Sequence, residues 1–169
     1  MKYQIFFIIV LFLSCFSNFS WAAETKDGVN HIELAAVMLK DGHHDRALLA
    51  LQSVDLGDKK TDLTRFYTLQ GLAYMGLNDL EAAKDSLQLA IKNGQKDPAI
   101  YIYLAQSYFG LKDYQKTIDA IQKAGNQVNK NPSLLSMKAE SYWHLQDVNA
   151  AINALNEGQR LFPADFRFQ

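Results

Sequence analysis

Cysteine is almost absent from this chain of 169 residues, which contains only Cys15. Residues 23–169 contain none, so disulfide cross-links and thiolate chemistry are excluded for that part of the chain. An excess of charge of one sign is lacking as well, since 17 basic residues face 18 acidic ones. Without a basic block, neither nucleic acid nor an anionic membrane surface is favoured as a partner.

The sequence also lacks the short motifs of common active sites. It has no Gly-rich phosphate loop, no nucleophile elbow and no paired His–Glu helix motif. Two of its four histidines, His43 and His44, are adjacent in a polar segment, but no further metal ligands can be placed beside them. We therefore predict no catalytic, cofactor or metal site and no enzymatic activity.

An apolar run near the N-terminus predicts export. Residues 5–13 are uninterrupted apolar residues, and residues 20–22, Ser-Trp-Ala, fit a small-x-small cleavage signal. Nine apolar residues are too few to cross a bilayer, which needs about 20. We expect a signal peptide over residues 1–22, cleaved after Ala22, and a periplasmic or secreted protein. The alternative is lipidation at Cys15, which is disfavoured because Phe12 stands where the bacterial lipoprotein signal usually has Leu.

Beyond this segment a pattern recurs four times. Each copy has a small residue, a large residue three positions later, a small or short residue twelve positions later and an aliphatic residue four positions after that. The copies are 36, 34 and 34 residues apart, measured at the small residues Ala35, Gly71, Ala105 and Ala139. A fixed period of this length indicates stacked helical repeats.

The third copy shows the helical pattern most clearly. A spacing of i, i+3, i+4, i+7, typical of one helix face, relates Tyr101, Leu104, Ala105 and Tyr108. A polar turn over residues 110–113 precedes a second helix, predicted over about residues 114–124. In the equivalent turns of the first two copies, Gly42 and Asn78 are residue types that tolerate the left-handed conformation. Each hairpin leaves one apolar face that only a neighbouring hairpin can bury.

These residues resemble the tetratricopeptide repeat, a unit of 34 residues with the order aromatic, Leu-Gly, Tyr, Ala, Phe, Ala, Pro. The third and fourth copies match it best, the second departs at Gln70, and the first lacks the aromatic residue. The resemblance implies an all-α, right-handed α-solenoid of four antiparallel helix hairpins within residues 23–169. The repeats would cover approximately residues 28–61, 64–97, 98–131 and 132–165. The alternative is an unrelated helical bundle.

The resemblance also implies where a partner binds, because this family usually holds its partners in a concave groove lined by the first helix of each repeat. Carrying the family's groove positions over to this sequence gives a set that is largely apolar: Ile32, Leu39, Arg65, Leu72, Met75, Ile102, Gln106, Phe109, Glu140, Trp143 and His144. Contiguous apolar surface usually marks a binding site, and Met, Phe and Trp suit interface anchors. The alternative is that several of these residues pack against neighbouring hairpins.

By analogy of family and compartment, we expect a non-enzymatic scaffold or adaptor in the cell envelope. It would bind an apolar or amphipathic segment of another protein, for example in pilus, secretion or outer-membrane assembly. The alternative is the N-terminal part of a larger repeat protein that serves polysaccharide export or adhesion. The last hairpin, around Leu155, Leu161 and Phe162, lacks a polar capping helix and is a candidate surface for self-association.

Overall fold

The structure, a computed structural model, describes residues 29–168, so the predicted signal peptide, its cleavage site and Cys15 lie outside the described residues. Residues 29–168 form eight α-helices that pair into four antiparallel hairpins. The hairpins are α1 (His31–Lys40) with α2 (His44–Gln52), α3 (Leu63–Gly76) with α4 (Leu80–Lys92), α5 (Ala99–Gly110) with α6 (Tyr114–Lys123), and α7 (Pro132–His144) with α8 (Val148–Leu161). Two 3₁₀ segments cover Gly125–Lys130 and Phe166–Phe168. The predicted all-α solenoid of four hairpins is confirmed.

One residue in the turn of each hairpin adopts the left-handed conformation. Its φ is +78° at Gly42 and +60° at Asn78, which confirms the prediction for both turns. The same conformation occurs at Lys112 and Gln146, with φ of +62° and +63°. In three of the hairpins the residue after it is an aspartate whose side chain accepts a backbone N–H three residues further on, which caps the second helix.

The small residues of the repeat lie where the two helices of each hairpin cross. Ala105 on α5 and Thr117 on α6 are fully buried, and so are Ala35 and Ala47 in the first hairpin. In the first three hairpins the aliphatic residue of the second helix, Leu51, Leu87 or Ile121, fills the space beside the crossing. Small side chains at the crossing allow the two backbones to approach, and the larger neighbours then exclude water from the remaining space.

Successive hairpins contact each other antiparallel, with the first helix of one hairpin on the second helix of the hairpin before it. The start of each second helix therefore meets the end of the next first helix. The His44 ring lies so close to Gly76 that a Cβ there would overlap it, and Leu80 lies equally close to Gly110. At the third contact there is no glycine, and the ring of His144 instead stacks on Tyr114, with 4.3 Å between ring centroids.

The C-terminal segment covers the far end of α8. Phe168 is buried against Gly158, where a Cβ would overlap its ring, and Phe162 stacks on Phe168 at 6.4 Å. Arg167 donates a hydrogen bond of 2.7 Å to Ser133 Oγ and also pairs with Asp165, which lowers the pKa of that carboxyl to about 2. As a result, Leu161 and Phe162 are half-buried rather than open.

Candidate functional site

The groove predicted from the repeat pattern is formed by α1, α3, α5 and α7. Consecutive first helices pack on each other, whereas contacts between consecutive second helices are marginal at most in the described part of the chain. The first helices are thus closer together than the second helices. A stack of hairpins curves toward the side on which neighbouring helices lie closer together. The first helices therefore line the concave surface and the second helices the convex one.

The predicted groove residues differ in how much of each side chain reaches solvent. Trp143 is 63% exposed, and Arg65, Glu140 and His144 are also exposed. The others are half-buried: Ile32, Leu39, Leu72, Met75, Ile102, Gln106 and Phe109. Four of these seven also pack against the core, Ile32 and Leu39 in the first hairpin and Met75 and Ile102 further along. The floor of the groove is therefore apolar and continuous with the core beneath it.

Three residues at the same repeat position lie on successive first helices of the groove, 34 residues apart in sequence: Met75, Phe109 and Trp143. Met75 and Phe109 are half-buried, whereas Trp143 stands out from the surface. Within residues 29–168 the indole N–H of Trp143 donates no hydrogen bond, so this side chain offers both a large apolar face and a free donor. An exposed side chain of this kind suits an anchor for a partner.

An aromatic group extends the groove toward the fourth hairpin. The edge of Phe109 meets Tyr114, with ring centroids 6.0 Å apart and planes at 72°, and Tyr114 stacks on His144. Tyr114 was not among the residues predicted for the site. It occupies the place held by His44 and Leu80 in the preceding hairpins, so the repeat register contains the signal that could have identified it.

The charged groups of the groove are paired within the chain. Arg65 donates a hydrogen bond of 2.8 Å to Glu33 Oε2, and both side chains are exposed. Glu140 lies 3.8 Å from Nε2 of His144 on the same helix. An exposed ion pair such as Arg65–Glu33 contributes only about 0–1 kcal/mol, so a bound partner can rearrange it at little cost.

A polar cleft of about 380 Å³ lies beside the connector between the first two hairpins. Its four carboxylates accept hydrogen bonds within the chain: Asp55 from the N–H of Gly57 at 2.8 Å, Asp58 from that of Lys60 at 2.9 Å, Asp62 from that of Arg65 at 3.0 Å, and Glu33 from the Arg65 side chain. No cluster of His, Cys, Asp and Glu side chains in residues 29–168 could hold a metal ion. The cleft therefore offers no arrangement that suggests a ligand.

Comparison with known proteins identifies the repeat family. Residues 64–93 match the tetratricopeptide repeat, and residues 89–158 match the family described as anaphase-promoting complex, cyclosome, subunit 3. No curated protein sequence gives a significant match. Of the helices in residues 29–168, none has the length and apolar character needed to cross a membrane. Together with the four hairpins in register, these matches support a tetratricopeptide repeat protein.

Solved structures agree on the fold. The chain superimposes on MamA AMB-1 with a TM-score of 0.72 and 14% identity, covering 82% of this chain and 74% of that one. A second MamA crystal structure superimposes with a TM-score of 0.67 and 21% identity, covering 79% of this chain and 77% of that one. A chain of the APC/C hetero-tetramer Cut9–Hcn1 superimposes with a TM-score of 0.64 and 21% identity over 82% of this chain. This chain spans only 28% of the length of that one. At these identities the likeness concerns the fold alone.

Proposed function

We propose that this protein is a non-enzymatic scaffold or adaptor that binds an apolar or amphipathic segment of another protein in its concave groove. Tetratricopeptide repeats serve as protein–protein interaction modules, which supports binding rather than catalysis. The observation that carries the proposal is the apolar series Met75, Phe109 and Trp143 on successive first helices, which ends in a tryptophan that is 63% exposed.

The spacing of this series restricts the conformation of the bound segment. Helices that pack side by side lie about 8–10 Å apart, so apolar side chains of the partner must recur at about that distance. Seven residues of an α-helix rise about 10.5 Å and return to nearly the same face. Three residues of polyproline II rise about 9.3 Å on one face. A β-strand fits less well, because side chains three residues apart point to opposite sides.

The setting we propose is the cell envelope, for example a pilus, secretion or outer-membrane assembly. The support is the signal-peptide pattern of residues 1–22, which predicts that the exported protein begins at Ala23. Intact mass and N-terminal sequencing of the exported form test this. A diacylated species that begins at Cys15 would instead indicate a membrane anchor.

A pull-down from envelope extract tests binding in the groove. The wild-type chain is compared with Trp143→Glu in the groove and with Leu49→Glu on the second helix of the first hairpin. The two positions are matched, since Trp143 is 63% exposed and Leu49 65%. We expect the wild-type chain and Leu49→Glu to retain the same partner and Trp143→Glu to lose it. Equal retention by both variants would contradict the proposal.

A further inference from the structure

The second helix of the last hairpin presents an apolar face that its counterparts bury. Leu51, Leu87 and Ile121 occupy the same place on α2, α4 and α6, and all are at most 2% exposed. Each lies in a core cluster with residues of the first helix of the following hairpin, for example Leu51 with Phe66. Leu155 occupies this place on α8 and is 40% exposed. Within residues 29–168, no α-helix other than α7 makes more than marginal contact with α8, and the 3₁₀ segment Phe166–Phe168 contacts it at Gly158.

Two further residues complete a stripe along α8. Val148 and Ile152 are 46% and 49% exposed, and with Leu155 they follow the spacing i, i+4, i+7 of one helix face. We refer to Val148, Ile152 and Leu155 as the α8 stripe. Leu145, in the turn before α8, adds a further exposed leucine. Contiguous apolar surface of this kind usually marks an interface.

The polar residues beside the stripe carry almost no charge. On α8 they include Asn149, Asn153, Asn156 and Gln159. The only charged residues of α8 are Glu157 and Arg160, and Glu157 lies 3.4 Å from Nζ of Lys138. By contrast, α6 carries Lys116, Asp119 and Lys123 over a shorter length. An uncharged rim allows two identical faces to meet without bringing like charges together.

We propose that the α8 stripe is the interface of a homodimer, in which α8 packs antiparallel on α8 of a second copy. In a two-fold contact, residue i meets residue j of the second copy and residue j meets residue i. The two-fold axis would pass close to Ile152. Val148 lies four positions before Ile152 and Leu155 three positions after it, so Val148 of each copy lies opposite Leu155 of the other. The stripe is thus complementary to itself.

The opposite end of the stack is more polar than the last hairpin at one of the places that the other hairpins bury. The places held by buried Phe66, Ile100 and Leu134 in later hairpins are held in the first by Asn30, which caps α1 by accepting the N–H of Glu33 at 3.2 Å. The side chain of Glu33 is itself paired with Arg65. Head-to-tail stacking would set part of the apolar stripe against these polar groups, while Val37, which is 52% exposed, holds the place of the buried Ala73, Ser107 and Ser141. The two-fold arrangement is favoured by the self-complementary spacing of the α8 stripe and its uncharged rim.

Sedimentation equilibrium of the purified exported chain over a range of concentrations tests the dimer. We expect a monomer–dimer equilibrium whose dissociation constant rises at least tenfold in Ile152→Asp. Leu49→Asp is the matched control, because Leu49 is at least as exposed as Ile152 and lies in the first hairpin rather than on α8. The dissociation constant of the Leu49→Asp dimer should equal that of the wild-type chain. Circular dichroism checks that both variants are folded.

A charge pair tests the register. Val148→Lys and Leu155→Glu should each weaken the homodimer, because each places a charge opposite an apolar residue. Mixing the two variants should restore association, since the introduced lysine then faces the introduced glutamate across one contact and the other contact stays native. A chain that is monomeric at every concentration, a dimer insensitive to Ile152→Asp, or a mixture no tighter than the single variants would each overturn the proposal. The candidate occupants of the stripe would then be a helix of another protein or residues outside 29–168.

Discussion

Leu87→Ala is expected to lower the free energy of unfolding by about 2–5 kcal/mol, the cost typical of a cavity left by a buried leucine. Leu87 is fully buried, between the small residue Gly71 of its own hairpin and the first helix of the next. Leu155→Ala makes the same chemical change at the same place of the fourth hairpin. Because Leu155 is 40% exposed, we expect its replacement to cost only about 1 kcal/mol.

Urea denaturation of the two variants measures this difference. The comparison must be made at a concentration at which the chain is monomeric, because a dimer would bury Leu155 as well. Similar losses of unfolding free energy in the two variants would mean that the two leucines have similar surroundings. The repeat register, and with it the assignment of the α8 stripe, would then be wrong.

The second large effect is expected on binding. Trp143→Ala and Phe109→Ala should each weaken the binding of the partner recovered in the pull-down by about 2 kcal/mol or more, as replacements of central aromatic anchors do. Trp143 loses little packing within the chain when it is shortened, since it is 63% exposed. Its effect on stability should therefore be much smaller than its effect on affinity. Calorimetric titration and thermal unfolding of each variant provide the two values.

Two control variants separate the groove from other surfaces. Leu49→Ala should leave the affinity for the partner unchanged, because Leu49 lies on a second helix and not on a first helix. Ile152→Asp should dissociate the homodimer and still bind the partner, since the α8 stripe and the groove are formed by different helices. Unchanged affinity in both Trp143→Ala and Phe109→Ala would exclude the groove as the binding site.

Much of the fold follows from the repeat period, because period and helical spacing together determine which residues are buried. The buried residues Ala105 and Ile121 lie where the pattern predicts them. The left-handed turns were predicted only where a favourable residue type occurs, at Gly42 and Asn78. Lys112 and Gln146 adopt the same conformation because the short connection between two helices requires it.

The site is less predictable, because exposure depends on neighbours that are distant in sequence. Met75 and Trp143 occupy the same repeat position, yet Met75 packs against the core and Trp143 reaches solvent. The repeat pattern gives the face on which a residue lies, but not how far its neighbours cover it. The same reason explains Phe162, which was expected on an open surface and is half-buried because Phe168 folds back onto α8.

Site-specific photo-cross-linking in the producing cell tests the groove most directly. A benzophenone amino acid replaces either Trp143 or Leu49, two positions with nearly equal exposure on different faces. We predict that the substitution at Trp143 gives an adduct of one defined mass with another protein and that the substitution at Leu49 does not. A cross-linked second copy is recognised by twice the mass of the chain and reports the dimer instead. The same adduct from both positions, or an adduct from Leu49 alone, would contradict a partner held in the concave groove.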